Sequence, residues 1–286
     1  MRFTVKLGGS ILEAAPIRQG ILSQVAQLRA EGNEVLVVHG GGKSLSRRLA
    51  QLNIPSRFVE GLRVTDAATL SVALMVLAGE VNKSLVADLE RLGASALGLC
   101  GADAASVRCV PLSEAAGSAD GLGFVGRPVS VNKSFFDLLL SQDIIPVVSS
   151  LALGPDFHFY NINADQMASA CAWGTGCQAL VYLTDVAGVL GGNGTTVRSA
   201  GPAEIEDLRN RHVITGGMLP KTLSCLEALE RGVPSVYVLP GASPGVLRRV
   251  VDGTLSEGTC IRGGRKPQPR KSHRRDAESA EKENDQ

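Results

Sequence analysis

No two of the six cysteines (Cys100, Cys109, Cys171, Cys177, Cys225, Cys260) stand in a C-x-x-C pair, and the four histidines (His39, His158, His212, His273) are equally scattered. A metal held by protein side chains is therefore not expected, and the thiols read as buried and reduced rather than as disulfides. Aromatic residues make up only 4% of the chain, too few for a base-stacking surface. Charge of one sign is missing as well: 29 Lys and Arg face 28 Asp and Glu, for a formal net charge of +1. That balance lacks the basic footprint of a nucleic-acid binder. No run reaches the roughly 18 apolar residues of a membrane span. The opening "MRFTVKLGGS" passes from strand to turn without the charged and apolar regions of a signal peptide. A soluble, cytoplasmic protein without nucleic-acid or membrane partners is expected.

What is present is a regular alternation. Short, continuous apolar runs ("FTVKL", "EVLVV", "ASALGLC", "IIPVVSS", "ALVYLT", "PSVYVL") alternate with helical patterns such as Leu45, Leu49, Leu52 and Leu219, Leu223, Leu226 at i, i+4, i+7. Continuous rather than alternating apolar character marks strands covered on both faces. The 286 residues, 44% of them hydrophobic, suffice for a large core. The expected fold is α/β: a three-layer αβα sandwich on a central, mainly parallel open sheet, with two lobes sharing that sheet. Ligands in such sheets collect at the carboxyl ends of the strands. After about Ile261 the chain carries a basic block followed by a mixed acidic one, and alanine is its only apolar residue type. Residues 262–286 read as a disordered charged tail; a partner-binding arm is the alternative.

Several strands end in glycine at that carboxyl edge. "VVHGGGKS" looks like a Walker A loop, but G-x-x-x-x-G-K-[ST] needs glycine where Val37 stands, and G-x-G-x-x-G counted from Gly40 meets Leu45. Gly8-Gly9 and Gly40-Gly41-Gly42 instead place two flexible turns before helix N-termini, whose free N–H groups suit the oxygens of a phosphoryl group. Either turn taken singly is equally a tight strand-to-helix connection. Lys6, inside the first strand, either snorkels to the edge or points a cation into the crevice. In "YNINADQ", Asn161, Asn163 and Asp165 alternate in what reads as an extended loop, which would put all three on one side; helix capping by Asn163 or Asp165 is the competing explanation. Lys221 follows Gly216-Gly217 into the first turns of a helix, where a cation is misplaced for stability and an external anion is a plausible partner.

The segments "VKLGGS", "VVHGGGKS", "GLRVTD", "NINADQ", "LTDVAGVL", "GGMLPK" and "GTCI", in this order from Phe3 to about Ile261, resemble the amino acid kinase family, and within it the branch that acts on N-acetyl-L-glutamate. The resemblance implies ATP-dependent phosphorylation of the γ-carboxylate of that substrate in arginine biosynthesis, with Mg2+ held mainly by the phosphates. It implies that Lys6 and Lys221 neutralise the transferred phosphoryl group, that Asp165 holds both lysines, and that Gly9 and Gly41 donate backbone hydrogen bonds. Gly41, Gly42, Arg63, Asn161 and Asn163 would bind the substrate. Asp185, Val186, Ala187, Gly188, Val189, Leu190, Ile214 and Thr215 would form the nucleotide edge. Lys43 would be incidental and His158 a surface residue. Residues 1–177 would be the lobe for acetylglutamate and dimerisation, and 178–261 the lobe for ATP. Because the chain opens on its first strand, without the extra N-terminal helix of arginine-inhibited relatives, a homodimer not strongly inhibited by arginine is expected, with any regulatory signalling protein unknown. Two other readings share much of this: a related kinase for another carboxylate, such as a carrier-linked aminoadipate, and a non-catalytic ATP- or amino-acid-sensing domain.

Overall fold

The computed structural model describes residues 1–112 and 121–263, so the charged tail lies outside the described residues from 264 onward. The strands are β1 (Arg2–Leu7), β2 (Glu34–His39), β3 (Phe58–Val59), β4 (Leu62–Arg63), β5 (Ala96–Leu99), β6 (Val107–Pro111) and β7 (Val125–Val131). They continue as β8 (Ile145–Ser149), β9 (Leu151–Leu153), β10 (Phe159–Ile162), β11 (Ala179–Thr184), β12 (Ser199–Ala200), β13 (Ser235–Pro240) and β14 (Thr259–Arg262). The central sheet has eight strands in the order β12-β14-β13-β11-β1-β2-β8-β5. Every pairing in it is parallel except β13 with β14. Strands β2, β8 and β11 are buried almost throughout, as their unbroken apolar runs require. The "ASALGLC" run is an edge strand instead, with Leu97 38% exposed.

Helices cover both faces. On one lie α1 (Gly9–Glu13), α2 (Ala15–Ala30), α3 (Gly42–Gln51) and the long α4 (Ala67–Arg91), whose middle turns Leu74–Val81 are π-helical. On the other lie α5 (Lys133–Ser141), α6 (Ala164–Thr175), α7 (Pro202–Asn210) and α8 (Met218–Glu230). Helix α9 (Val246–Asp252) returns to the first face. Alternation along β1 sorts its side chains: Phe3, Val5 and Leu7 pack under α2, whereas Thr4 and Lys6 point to the side of α6 and α8. The first turn of β1 leads to β2 on one side and β11 leads to β13 on the other. The carboxyl ends of β1 and β11 thus form the crevice at which ligands bind in such sheets.

Helix α4 is 25 residues long and contains an 18-residue window with a mean hydropathy of 1.5, 39% of it buried; by length and composition alone it could cross a membrane, as a core helix of a soluble protein also could. Polar residues including Thr69, Ser71, Glu80 and Asn82 interrupt it, so no unbroken apolar run of that length occurs. Leu219 and Leu223 lie outward on α8, 37% and 49% exposed, while Lys221, Cys225, Ala228 and Leu229 occupy its buried face. In the first helical set Leu45 and Leu49 are buried, but Leu52 follows α3 and is 51% exposed. After β8 the chain enters a small closed arrangement of β10, β7, β6 and β9, whose strands are short and only partly apolar.

Two helical glycines carry opposite expectations. Gly20 in α2 is exposed and a Cβ there meets nothing within 4 Å, so Gly20→Ala should stabilise the protein by about 1 kcal/mol through helix propensity. A Cβ on Gly174 in α6 would stand 2.3 Å from the Cβ of Val131, so Gly174→Ala should destabilise by roughly 1–3 kcal/mol despite the same propensity gain. Denaturant unfolding of the two variants checks the sign of each.

Candidate functional site

The crevice is built around one carboxylate. Asp165 lies in the first turn of α6, whose N-cap is Asn163; the Asn163 side chain accepts from the backbone N–H groups of Asp165 (2.8 Å) and Gln166 (3.3 Å). Asn161, in β10, donates instead to the Thr65 hydroxyl at 3.2 Å. The three residues are therefore not one extended row: a strand, a cap and a helical turn follow one another, and capping accounts for Asn163. Lys6 Nζ approaches Asp165 Oδ1 at 2.7 Å, and Lys221 Nζ donates to both carboxylate oxygens at 3.0 Å. All three residues are over nine-tenths buried. Lys6 points into the crevice and does not snorkel.

Tyr182 stands beside Lys6 in the β1–β11 register, donates its hydroxyl to the Asp165 carbonyl oxygen at 3.0 Å, and lies under Lys221, with Nζ 4.9 Å from the ring centre. Burial pushes the Lys6 ammonium below its ordinary value, opposed by the charge of Asp165 and assisted by that of Lys221. Burial would raise the Asp165 carboxyl, but the charges and hydrogen bonds of Lys6 and Lys221 override it and hold the group low. Two cations against one anion leave a single positive charge for an incoming anionic group.

Two cavities meet here. The larger, about 590 Å³, is lined by Lys6, Gly9, Gly40, Gly41, Gly42, Arg63, Asn161 and Asn163, among others. The smaller, about 340 Å³, is lined by Lys6, Gly8, Gly9, Asp185, Val186, Thr215 and Lys221, among others. Lys6 and Gly9 belong to both walls, so the two glycine turns do face one crevice. Gly41 has φ +151°, and a Cβ on it would sit 2.7 Å from Leu77 Cδ2, so only glycine fits. As N-cap of α3 it makes no side-chain cap, which leaves the first N–H groups of that helix to an anion.

Arg63 is 8% exposed and donates to Ser56 Oγ (2.7 Å), Ser46 Oγ (2.7 Å) and the Gly42 carbonyl (3.2 Å), with its guanidinium 4.6 Å from the Phe58 ring centre.

Of the nucleotide-edge residues, Asp185, Val186 and Thr215 line the smaller cavity. Val189 and Ile214 are core residues, 1% and 4% exposed, and Ala187, Gly188 and Leu190 do not line it. Gly188, with φ +147°, is buried, and a Cβ on it would meet Thr196 and Thr259, whereas Ala187 and Leu190 are exposed. Lys43, set aside in the sequence, lines the larger cavity together with Ser46 and Phe58. The spacing of Ser46 from the glycines on α3, one helical turn along, was the available signal for it. His158 is on the surface beside Asp156. Among the described residues no group of three or more His, Cys, Asp or Glu could hold a metal.

Residues 1–240 match the model described as the amino acid kinase family. The chain is 45% identical over 266 residues to the acetylglutamate kinase of Acidobacterium capsulatum, covering 91% of this chain and 99% of that one. It is 44% identical over 261 residues to the acetylglutamate kinase of Koribacter versatilis, covering 91% and 98%. Among solved structures, smu.665 from Streptococcus mutans matches with a TM-score of 0.77 at 27% identity, covering 91% of this chain and 98% of that one. The N-acetylglutamate synthase of Neisseria gonorrhoeae, solved with coenzyme A and N-acetyl-glutamate, matches in fold with a TM-score of 0.78 at 23% identity, covering 91% and 59%.

The acid stability of the protein should reflect the histidine that leads into the triple glycine. Burial pushes His39 from 6.5 down to about 4. The unfolded chain therefore takes up a proton that the folded one refuses, so stability is full above pH 6.5 and is lost as pH falls toward 4. The loss is at most about 1.4 kcal/mol per pH unit. Thermal melts from pH 7 to pH 4.5 should fall more steeply for the native chain than for His39→Asn; parallel curves would assign the loss to other groups.

Proposed function

The chain belongs to the amino acid kinase family, and we propose that it transfers the γ-phosphoryl group of ATP to the γ-carboxylate of N-acetyl-L-glutamate. The products are N-acetyl-L-glutamyl 5-phosphate and ADP, in arginine biosynthesis. The observation that carries this is the shared wall: Lys6 and Gly9 line both cavities, one suited to a small acid and one to a nucleotide, with Asp165 and Lys221 behind them.

The carboxylate is already ionised at neutral pH, so no base is needed. Its oxygen forms a bond to the γ-phosphorus as the bond to the bridging oxygen breaks, and the electron pair leaves on ADP. Charge on the group in flight is met by Lys6 and Lys221, held by Asp165, and by the N–H groups of Gly9 and Gly41, which fits a reaction catalysed by positioning and electrostatics. Arg63 clamps the α-carboxylate of the acid through its planar fork, with Gly41, Gly42, Asn161 and Asn163 around it. Asp185, Val186 and Thr215 border the nucleotide. Magnesium bound with the phosphates would neutralise their charge. The residues present fit that arrangement: both Asp165 oxygens are committed to lysines, and Asp185 is the one carboxylate among the described lining of the nucleotide cavity.

In this reading residues 1–177 hold the acid and 178–261 the nucleotide. The enzyme works in the cytoplasm as a homodimer joined through the first lobe. Met75, 63% exposed amid the buried side chains of α4, supports that placement, and sedimentation of the full chain should show two copies; a monomer would overturn it.

With MgATP and N-acetyl-L-glutamate, ADP release should be matched by trapping of the acyl phosphate with hydroxylamine, whereas glutamate, aspartate, carbamate and aminoadipate should give little. Turnover with another of these acids and none with N-acetyl-L-glutamate would refute the assignment. Lys6→Ala and Lys221→Ala should each lower kcat by about 10²–10³-fold. Arg63→Lys should act chiefly on KM for the acid, raising it about 10-fold.

A further inference from the structure

His39 closes β2 and is fully buried, and so is Asn82 on α4. The Asn82 side-chain nitrogen lies 2.9 Å from the Val147 carbonyl oxygen and 3.0 Å from His39 Nε2. A backbone carbonyl only accepts, so the amide end that faces it is the NH2 group. The same NH2 group then donates to His39 Nε2, which must be the unprotonated nitrogen, and the ring proton sits on Nδ1. Nδ1 lies 2.7 Å from the carbonyl oxygen of Gly40 and donates to it.

That carbonyl belongs to the same peptide plane as the N–H of Gly41. Among the described residues no peptide bond is cis, so the two groups of this plane point in opposite directions. A hydrogen bond that fixes the Gly40 carbonyl against His39 therefore also fixes the direction of the Gly41 N–H, and Gly40, Gly41 and Gly42 all line the larger cavity. Gly41 itself has no side chain with which to hold that orientation, and its φ of +151° is open only to glycine.

The surroundings are shaped for this pair. A Cβ on Gly98 would stand 1.9 Å from Asn82 Oδ1, so β5 carries glycine where the amide needs room. Asn82 Oδ1 is buried with no hydrogen-bond partner. An unsatisfied buried acceptor is costly, and a core asparagine kept only for packing would not repay that cost. Burial also keeps the imidazole neutral at physiological pH.

We propose that His39 and Asn82 are positioning residues for phosphoryl transfer: Asn82 sets the His39 tautomer, and His39 in turn holds the Gly40–Gly41 peptide plane so that the Gly41 N–H is aimed at the phosphoryl group. This rests on the reading of Gly41 as a donor to that group. Neither side chain touches substrate. Their effect lies in the transition state, where a misaimed N–H is felt as lost rate rather than lost binding.

Two measurements on the full chain test it. Histidine 15N shifts of the native protein at neutral pH should show His39 protonated at Nδ1; a proton on Nε2 would overturn the proposal whatever the variants do. In steady-state assays with MgATP and N-acetyl-L-glutamate, His39→Asn keeps an N–H donor near the Nδ1 position, and His39→Gln moves it toward the Nε2 position. The Gln variant should lose about 10-fold in kcat with both KM values within about 3-fold of native, while the Asn variant recovers most of that rate. Equal losses in the two variants, or a loss confined to KM, would refute the positioning role. An inactive native chain would count against the proposed function, and the tautomer measurement would still decide the His39 assignment.

Discussion

A carboxylate held between two ammonium groups, out of contact with most of the solvent, is the constraint from which the rest of this molecule follows. Asp165 enters from the first turn of α6, Lys6 from the middle strand of the sheet and Lys221 from the start of α8. Each would be costly to bury singly. Together they bring the two halves of the chain to one point, because Lys6 and Asp165 come from before residue 178 and Lys221 from after it. A buried group of this kind is poor evidence for stability and a good indicator of function. Here it stands at the carboxyl edge of a parallel sheet, against the wall common to two cavities.

Everything else at the crevice is backbone or is held still by neighbours. The donors assigned to the phosphoryl group are main-chain N–H groups on two glycine turns, which lose no side-chain freedom when a ligand arrives. Arg63 is already shared among Ser46, Ser56 and the Gly42 carbonyl and is stacked on Phe58, so its guanidinium is oriented before the acid enters. The absence of an activated nucleophile or a general base among these residues agrees with a reaction in which both reactants already carry the charges they need.

Much of this was legible in the chain. Strands β2, β8 and β11 announce themselves as unbroken apolar runs because helices cover both of their faces, and Lys6 stands out because a cation inside such a strand needs a partner. The less legible parts have physical reasons. Strands β6, β7, β9 and β10 are short and partly apolar, and close on one another away from the main sheet, so their pattern is faint. Leu219 and Leu223 have ideal helical spacing, yet α8 turns a lysine, a cysteine and an alanine inward, because its buried face serves the site as well as the core. Asn161, Asn163 and Asp165 alternate as if in a strand, but the chain changes from β10 to α6 between the first and the last. Ser46, Phe58, His39 and Asn82 are ordinary residue types whose importance arises only from what the fold places next to them.

The surplus on the group of Lys6, Asp165 and Lys221 is a single elementary charge, and in the proposed reaction both reactants approach it as anions. A nucleotide triphosphate carries several negative charges and the acid two more, so one wall cannot satisfy electroneutrality for the ternary assembly. Left to themselves, the two ligands would repel each other across Lys6, and occupancy of either side would weaken the other. In the proposed reaction, a nucleotide arriving with its own divalent counter-ion would remove that antagonism and leave the surplus charge of the two lysines and Asp165 to the group that passes between them.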